Sequence, residues 1–253
     1  MPAVTVVNAP EVEPFTSPSG LNVRVTLGRR TDFEVLQQAV LECGPGQRVV
    51  IEVPGDSEET LFVLEGEGRI HLRGETHELR PDTGVYLPPG STPELENTGD
   101  TPVRLVAVRV PDPSPGPPMP PNVSRLEDQD MEQATTEREF RIVSDPRTGL
   151  RSATHFVGYI PTERAPDHFH TYDEVIYVLE GEGRMDAGDF SQPVRAGSCI
   201  QLPARTVHCL SSSGAGPMRI VAVFRPAGSP AAAFYPDGTP AYQSNQDPLQ
   251  RRS

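Results

Sequence analysis

The heptapeptide VLEGEGR occupies Val63–Arg69 of this 253-residue chain and occurs again at Val178–Arg184. With the same shift of 115 residues, from 63 to 178, Leu87-Pro88 falls on Leu202-Pro203. Matches that keep one spacing over about fifty residues, without an insertion or deletion, indicate two copies of one fold.

Short apolar runs recur along both copies. They are rich in Val, Ile, Leu and Thr and are bounded by Gly, Pro, Asp or Asn, whereas the apolar spacing of a helix is hard to find. This pattern predicts an all-β sandwich or barrel, with closing strands at Val103–Val110 and Met218–Phe224. The Glu-Gly-Glu-Gly of each repeat predicts a turn that uses glycine to reach a positive φ. A phosphate-binding loop is disfavoured, because neither turn leads into a helix.

A proline-rich segment separates the copies. Pro111–Pro121 reads PDPSPGPPMPP, which predicts a semi-rigid linker. We therefore divide the chain into an N-terminal domain at 1–112, a linker at 113–128 and a C-terminal domain with a tail at 129–253. The tail is expected to pack locally around Ala231–Tyr235 and then to fray.

The charge balance limits the partners of this protein. Acidic residues outnumber Lys and Arg by 35 to 22, the formal charge is −13, and every one of the 22 is arginine. Such a charge repels phosphate backbones and anionic lipids, so we expect neither nucleic-acid nor membrane partners. The absence of lysine excludes Schiff-base chemistry. Three cysteines without a CxxC spacing, together with the absence of a leader or a long apolar run, predict a soluble cytoplasmic protein.

A cluster of metal-ligating side chains precedes the second repeat, where Asp167–Glu174 reads DHFHTYDE. His168 and His170 are two positions apart and are expected to face the same side of a strand. Glu174 then enters the neighbouring strand on that side, and His208 follows on a later strand. Imidazoles with one carboxylate suit divalent Zn, Fe, Mn, Ni or Cu and leave two octahedral positions open for water, dioxygen or a substrate.

The pattern HxHxxxE at His168–Glu174, followed by Gly197, Pro203 and His208, resembles the two motifs of the cupins, and the duplication resembles a bicupin. The resemblance implies two tandem jelly-roll β-barrels. It also implies that the three histidines and the glutamate hold one divalent Fe, Mn, Ni or Zn ion, and that the glutamate has a catalytic role as proton acceptor. Arg205 stands where the second motif usually has glycine, which affects a turn and not a ligand.

The first copy lacks most of these ligands. The same shift places Val53, Gly55, Glu59 and Pro93 at the four ligand positions, so only the carboxylate is kept. We therefore expect the N-terminal barrel to be metal-free and to bury an apolar face of its neighbour. Two stacked barrels still leave apolar edges, which favours a homodimer.

Three further residues are candidates for binding a small-molecule substrate. Gln201 and Arg205 lie on the strand and turn that lead to His208, and either would hold a substrate carboxylate or oxyanion. Tyr172 would border the pocket. Phe169, between the two ligand histidines, is expected to face away from the metal.

The resemblance implies a metal-dependent enzyme acting on a small organic molecule, and we favour dioxygenase-type chemistry over decarboxylation, isomerisation or dehydration. The metal would lower the pKa of a bound hydroxyl and stabilise an enolate or alkoxide. A non-catalytic sensor or small-molecule-binding bicupin is the alternative, and a pocket closed by the tail would favour it. Ureidoglycine aminohydrolases share the layout but use glutamine in place of one histidine, so the pattern counts against that activity.

Overall fold

The computed structural model describes residues 3–116, 119–134 and 138–241. In that part of the chain the regular structure consists of β-strands and of short 3-10 helices at Ala9–Glu11, Arg29–Thr31 and Leu126–Asp128. None of the helices there is long and apolar enough to span a membrane. The all-β prediction is confirmed, while the fraying expected at the end of the tail concerns residues 242–253, outside the described residues.

The described strands are numbered in chain order. Those of the first half and the linker are β1 (Thr5–Asn8), β2 (Phe15–Thr16), β3 (Asn22–Leu27), β4 (Gln37–Cys43), β5 (Arg48–Val50), β6 (Ser57–Glu65), β7 (Gly68–Leu72), β8 (Glu75–Leu79), β9 (Thr83–Leu87), β10 (Glu94–Asn97), β11 (Val103–Pro111) and β12 (Asn122–Arg125). Those of the second half are β13 (Glu132–Gln133), β14 (Glu139–Ser144), β15 (Thr154–Ile160), β16 (Asp173–Glu180), β17 (Glu182–Ala187), β18 (Phe190–Arg195), β19 (Ser198–Leu202), β20 (Cys209–Ser212) and β21 (Met218–Arg225).

Each half of the chain builds one barrel from two sheets. In the first barrel a seven-stranded sheet, β12-β9-β6-β11-β4-β3-β2, packs over a four-stranded sheet, β5-β10-β7-β8. In the second barrel the sheet β1-β19-β16-β21-β15-β14-β13 packs over a three-stranded sheet, β18-β17-β20. The central pair β6 and β11 corresponds to β16 and β21 at the shift seen in the sequence. The predicted duplication of one jelly-roll fold is therefore confirmed.

The repeated Glu-Gly-Glu-Gly segments form the predicted turns. Gly66 and Gly181 have φ values of 84° and 85°, which strain any residue that carries a Cβ. A Cβ at Gly66 would also collide with the carbonyl oxygen of Pro102. The glycines of the repeat are therefore required by the backbone of each barrel.

The two barrels exchange their edge strands. β1 pairs with β19 of the second barrel, from Thr5 opposite Gln201 to Asn8 opposite Ser198. β12, inside the predicted linker, pairs with β9 of the first barrel. These pairings cross the predicted limits at residues 112 and 129, which stay predictions of where the domains divide along the chain. Each exchanged strand covers a sheet edge that would otherwise expose unpaired backbone groups.

The central strands are buried on both faces. Successive side chains of a strand point to opposite sides, so each central strand contributes to two different cores. In β16, Ile176 and Val178 belong to the core of the second barrel, whereas Val175 and Tyr177 belong to a core that both barrels share. Phe62 of β6 enters the same shared core from the first barrel. The two barrels thus bury each other's outer sheet.

A buried polar pair lies in this contact. The Oγ1 of Thr60 lies 2.6 Å from Nδ1 of His155, and the ring of Phe62 meets the imidazole edge-on at a centroid distance of 5.9 Å. Burial lowers the pKa of His155 to about 3. His155 therefore packs as a neutral residue between the barrels.

The pKa of His155 predicts a specific loss of stability in acid. Because the pKa in the folded protein is about 3 and that of an unfolded histidine about 6.5, only the unfolded chain takes up a proton between these values, and stability falls as the pH drops. At pH 5 this single group costs about 2 kcal/mol relative to neutral pH. The His155→Gln variant should lose that much less free energy of unfolding than the wild type between pH 7.5 and pH 5, measured by urea denaturation of metal-free protein. Parallel losses in the two proteins would contradict the assignment.

Candidate metal centre

Three imidazoles converge inside the second barrel. His168 and His208 face each other in an antiparallel bridge, in which each backbone N–H donates to the other's carbonyl oxygen, at 3.1 and 2.8 Å. One ligand atom from each of His168, His170 and His208 lies within 4.8 Å of the other two. Three nitrogens bound tetrahedrally to one ion at about 2.1 Å lie about 3.4 Å apart, so the rings would have to close by up to roughly 1.4 Å to complete the site.

The backbone selects the tautomer of each ring. Nδ1 of His168 lies 2.9 Å from the carbonyl oxygen of Pro166, Nδ1 of His170 lies 3.0 Å from that of Ala232, and Nδ1 of His208 lies 2.8 Å from that of Thr206. A carbonyl oxygen only accepts, so each Nδ1 carries the hydrogen and each Nε2 presents a lone pair. Metal-binding histidines are typically oriented by such a bond. The donor set therefore fits one divalent transition metal ion.

Burial keeps these rings uncharged. Desolvation is the largest cause of the lowered pKa of all three imidazoles, to about 3 for His170, and the neighbouring rings add to the effect at His170 and His208. Neutral imidazole is the form that binds a metal, so the rings are ready to bind without first losing a proton.

Tyr172 lines the cavity beside the three histidines, and its predicted contact with a substrate stays a prediction. Its ring stacks on His170 at 4.7 Å and 9° on one side, and on Phe224 at 3.8 Å and 18° on the other. Burial, followed by the charge of Glu174, raises the pKa of Tyr172 well above its usual value. The phenol therefore stays neutral and fixes the plane of the His170 ring.

Glu174 borders the same cavity at the start of β16 but does not belong to the converging group. Burial raises the pKa of its carboxyl to about 8, and the charge of Arg138 acts in the opposite direction. No hydrogen bond to this carboxylate is present in the part of the chain that the structure describes. Its predicted roles as a fourth ligand and as proton acceptor stay predictions.

The other two substrate candidates lie elsewhere. The side-chain amide of Gln201 accepts a hydrogen bond from Thr31 at 2.5 Å and donates to the carbonyl oxygen of Ala3 at 3.0 Å, so it joins the two barrels and does not line the cavity. The side chain of Arg205 is exposed, and its backbone N–H donates to the carbonyl oxygen of His170 at 2.7 Å. Arg205 has a φ of 61°, which explains why the motif usually has glycine here.

The cavity beside the triad has a volume of about 70 Å³. Apolar side chains form most of its wall: Phe140, Phe156, Ile160, Tyr172, Ile176, Leu210, Ile220, Pro230 and Ala233. One cation, Arg138, completes it. Sequence reasoning missed Arg138, because it lies 30 residues before the motif, in an acidic segment, and only the pairing of β14 with β15 brings it to the barrel.

The tail closes one side of this cavity. Phe169 and Phe234 bond to each other through their backbones at 2.8 and 2.9 Å, and their rings stack at 5.6 Å. Ala232 supplies the carbonyl oxygen that orients His170. The expected local packing around Ala231–Tyr235 is thus present, and Phe169 faces the tail.

In the first barrel the carboxylate equivalent to Glu174 has a different environment. Glu59 is buried and forms an ion pair with Arg109 at 2.8 Å. At the shift between the copies, Arg109 corresponds to Phe224, which stacks on Tyr172. In the first barrel the carboxylate is thus neutralised by a strand neighbour, whereas in the second barrel that neighbour is aromatic.

A family model described as a cupin domain matches residues 40–109 and 155–224, together more than half of the chain. The chain belongs to the cupin family. It is 34% identical over 105 residues to a protein named polyketide synthase CurC from Streptomyces cyaneus, a match that covers 40% of this chain and 66% of that relative. It is 26% identical over 102 residues to an uncharacterized protein from Methanocaldococcus jannaschii, covering 40% and 82% of the two chains. The cupin thus spans just under two thirds of the length of the Streptomyces relative.

Solved structures share both barrels. A Pseudomonas aeruginosa protein described as glyoxylate-induced superposes with a TM-score of 0.74 at 20% identity, covering 88% of this chain and 89% of the other. The protein Ylba from E. coli gives 0.74 at 11% identity, covering 88% and 91%. An oxalate decarboxylase mutant from Bacillus subtilis gives 0.69 at 13% identity, covering 87% and 76%. At these identities the likeness shows the bicupin fold alone.

Replacing Arg205 by glycine should stabilise this cupin. A non-glycine residue in the left-handed region costs about 1 kcal/mol or more, and only the backbone of Arg205 contacts a ligand histidine. The Arg205→Gly variant should gain about 1 kcal/mol in the free energy of unfolding measured in urea, and Arg205→Val should lose stability. Metal content should stay at the wild-type level in both variants; a loss of stability in the glycine variant would contradict this reading.

Proposed function

We propose that this cupin is a metal-dependent enzyme that converts a small organic molecule in the second barrel, by dioxygenase-type chemistry. The observation that carries the proposal is the set of three buried imidazoles, each held by a backbone carbonyl so that its Nε2 is free to bind. A set of this kind supports metal binding over a role in core packing alone.

Three protein nitrogens leave a metal ion coordinatively open. Structural zinc sites use four protein ligands, whereas catalytic sites use three and keep at least one position for water or substrate. The cavity of about 70 Å³ lies beside the triad, so the open side has room for a ligand. This combination favours catalysis over a structural ion.

The metal supplies the charge that the reaction needs: when bound, a divalent ion lowers the pKa of a coordinated hydroxyl and stabilises negative charge as it develops. The chain's own residues do the rest. The apolar wall excludes water, Tyr172 holds the plane of the His170 ring, and the unbonded carboxylate of Glu174 borders the space where a substrate proton would be taken up.

The size of the cavity limits the substrate. About 10–15 Å³ of such cavity volume holds one water, so about 70 Å³ holds a molecule of roughly five to seven non-hydrogen atoms. The polyketide synthase name of the Streptomyces relative would suggest a larger, oxygen-rich molecule, which would extend beyond this cavity. We therefore propose a substrate smaller than an aromatic polyketide.

A binding protein is the second candidate, and the tail favours it. Pro230 and Ala233 line one side of the cavity, and the backbone pairing of Phe169 with Phe234 holds this part of the tail there. A tail that stays closed would retain a small ligand without turnover.

The metal content tests the site directly. Elemental analysis of protein reconstituted with Fe(II), Mn(II), Ni(II) or Zn(II) should give about one ion per chain, and His168→Ala should reduce this at least tenfold, because it removes one of three ligands. The matched control His71→Ala, in β7 of the first barrel, should keep the ion. Two ions per chain in the wild type would show that the first barrel also binds metal, and full occupancy in His168→Ala would overturn the site.

Turnover separates the two candidates. The loaded protein should consume oxygen with small hydroxy acids, keto acids or enediols, and metal-depleted protein should not. The alternative result is a metal-loaded protein that converts none of these compounds, with or without oxygen, and yet retains one of them through gel filtration. That result would overturn the enzyme proposal and support the binding protein.

A further inference from the structure

The cavity of the second barrel contains a cation that the metal site does not use. Arg138 lies just before β14 and lines the cavity together with the three histidines. Its Nη2 donates a hydrogen bond to the carbonyl oxygen of Leu210 at 2.7 Å, at the start of β20. This bond anchors one end of the guanidinium and leaves the rest of it in the cavity wall.

The guanidinium is only partly satisfied. Its Nε is buried and has no hydrogen-bond partner, and no carboxylate forms a salt bridge with it in the part of the chain that the structure describes. Glu174 lies in the same wall but forms no ion pair with it. A buried N–H without a partner loses its hydration free energy, and a buried charge without a counter-ion loses more. The Cys209 thiol also interacts with this guanidinium, but no carboxylate among the described residues supplies its counter-ion. An oxygen of a bound anion would fill that place.

Metal binding would add to the imbalance. A divalent ion at the triad brings two positive charges into the wall that already holds Arg138. Two carboxylates line the cavity, the buried Glu174 and the partly exposed Glu139, which accepts a hydrogen bond from Gln133. Even with both ionised, one positive charge of the ion and Arg138 stays uncompensated. The site is therefore electrostatically incomplete without a ligand anion, and that anion must be small enough for about 70 Å³.

We propose that Arg138 is the specificity-determining residue of this site and that the substrate is a small carboxylate anion, held by the buried guanidinium on one side and by the metal site on the other. This inference rests on the proposed function, which it deepens by naming the substrate class. Arg138 suits the task because its planar N–H groups match the two oxygens of a carboxylate. Neutral molecules of the same size leave its charge uncompensated and bind less well.

A structural role for Arg138 alone is the competing explanation. Its bond to Leu210 and the nearby thiol of Cys209 would then account for its position. Arg24 offers a matched comparison, since it also has a buried Nε without a partner but lies in β3 of the first barrel, paired with Glu42 at 3.8 Å.

The test uses full-length protein loaded with Co(II), whose absorption spectrum reports ligand binding without turnover. The probes are glycolate and its neutral isostere glycolamide, which have the same number of non-hydrogen atoms. Wild type should bind glycolate more tightly than glycolamide. The Arg138→Gln variant should keep its cobalt but bind glycolate roughly tenfold more weakly or worse, with little change for glycolamide, because a hydrogen bond to a charged group has been removed.

Two variants control this comparison. Arg24→Gln should match the wild type with both probes. Arg138→Lys keeps the charge without the planar fork and should bind glycolate with intermediate affinity, which also provides a second reading if Arg138→Gln does not fold.

The outcomes separate the two proposals. The role of Arg138 would be overturned if the cobalt-loaded Arg138→Gln variant bound glycolate as tightly as the wild type does. If only Arg138→Lys folds, the same result with that variant decides. In either case the metal site would remain supported. Wild-type protein that takes up no cobalt would overturn the proposed function and this inference with it. A glycolate preference that depends on Arg138, in a protein that converts no substrate, would support the anion site and overturn only the enzymatic activity.

Discussion

The backbone bridge between His168 and His208 is the contact on which the site depends. It joins a segment before β16 to the start of β20 by two hydrogen bonds, and so places side chains 40 residues apart on one inner surface. The neighbouring carbonyls of Pro166 and Thr206 then hold the two rings. Because every one of these bonds uses backbone groups, the triad is built into the barrel and needs no polar side chain to support it.

The tail and the barrel depend on each other through the same groups. The carbonyl oxygen of Ala232 orients His170, and Phe234 stacks on Phe169, the residue between the two histidines. A displacement of the tail would therefore release both a wall of the cavity and the orientation of one ligand. Access to the site and competence for metal binding are coupled physically.

The two barrels share one fold but differ in the residues around the equivalent carboxylate. In the first, the Glu59–Arg109 ion pair satisfies the carboxylate, and a cavity of about 320 Å³ remains between apolar strands. In the second, Phe224 replaces the arginine, and the cation is Arg138 from the segment just before β14. Arg138 forms no salt bridge with a carboxylate among the described residues. Burial of both outer sheets against each other lets the first barrel stabilise the second, whatever its own cavity holds.

Short sequence patterns were sufficient to predict the duplication, its turns and the shared face of two histidines. The VLEGEGR repeat predicts two copies and their turns, because a glycine at positive φ is a local backbone requirement. The spacing of His168 and His170 predicts that both rings share one face, because side chains alternate along an extended chain. Only the tertiary structure decided the strand exchange through β1 and β12, the engagement of Gln201 by Thr31, and the arrival of Arg138 at the cavity. Each of these depends on which strand pairs with which over long separations. That choice is made by the packing of whole sheets, and no short stretch of sequence encodes it.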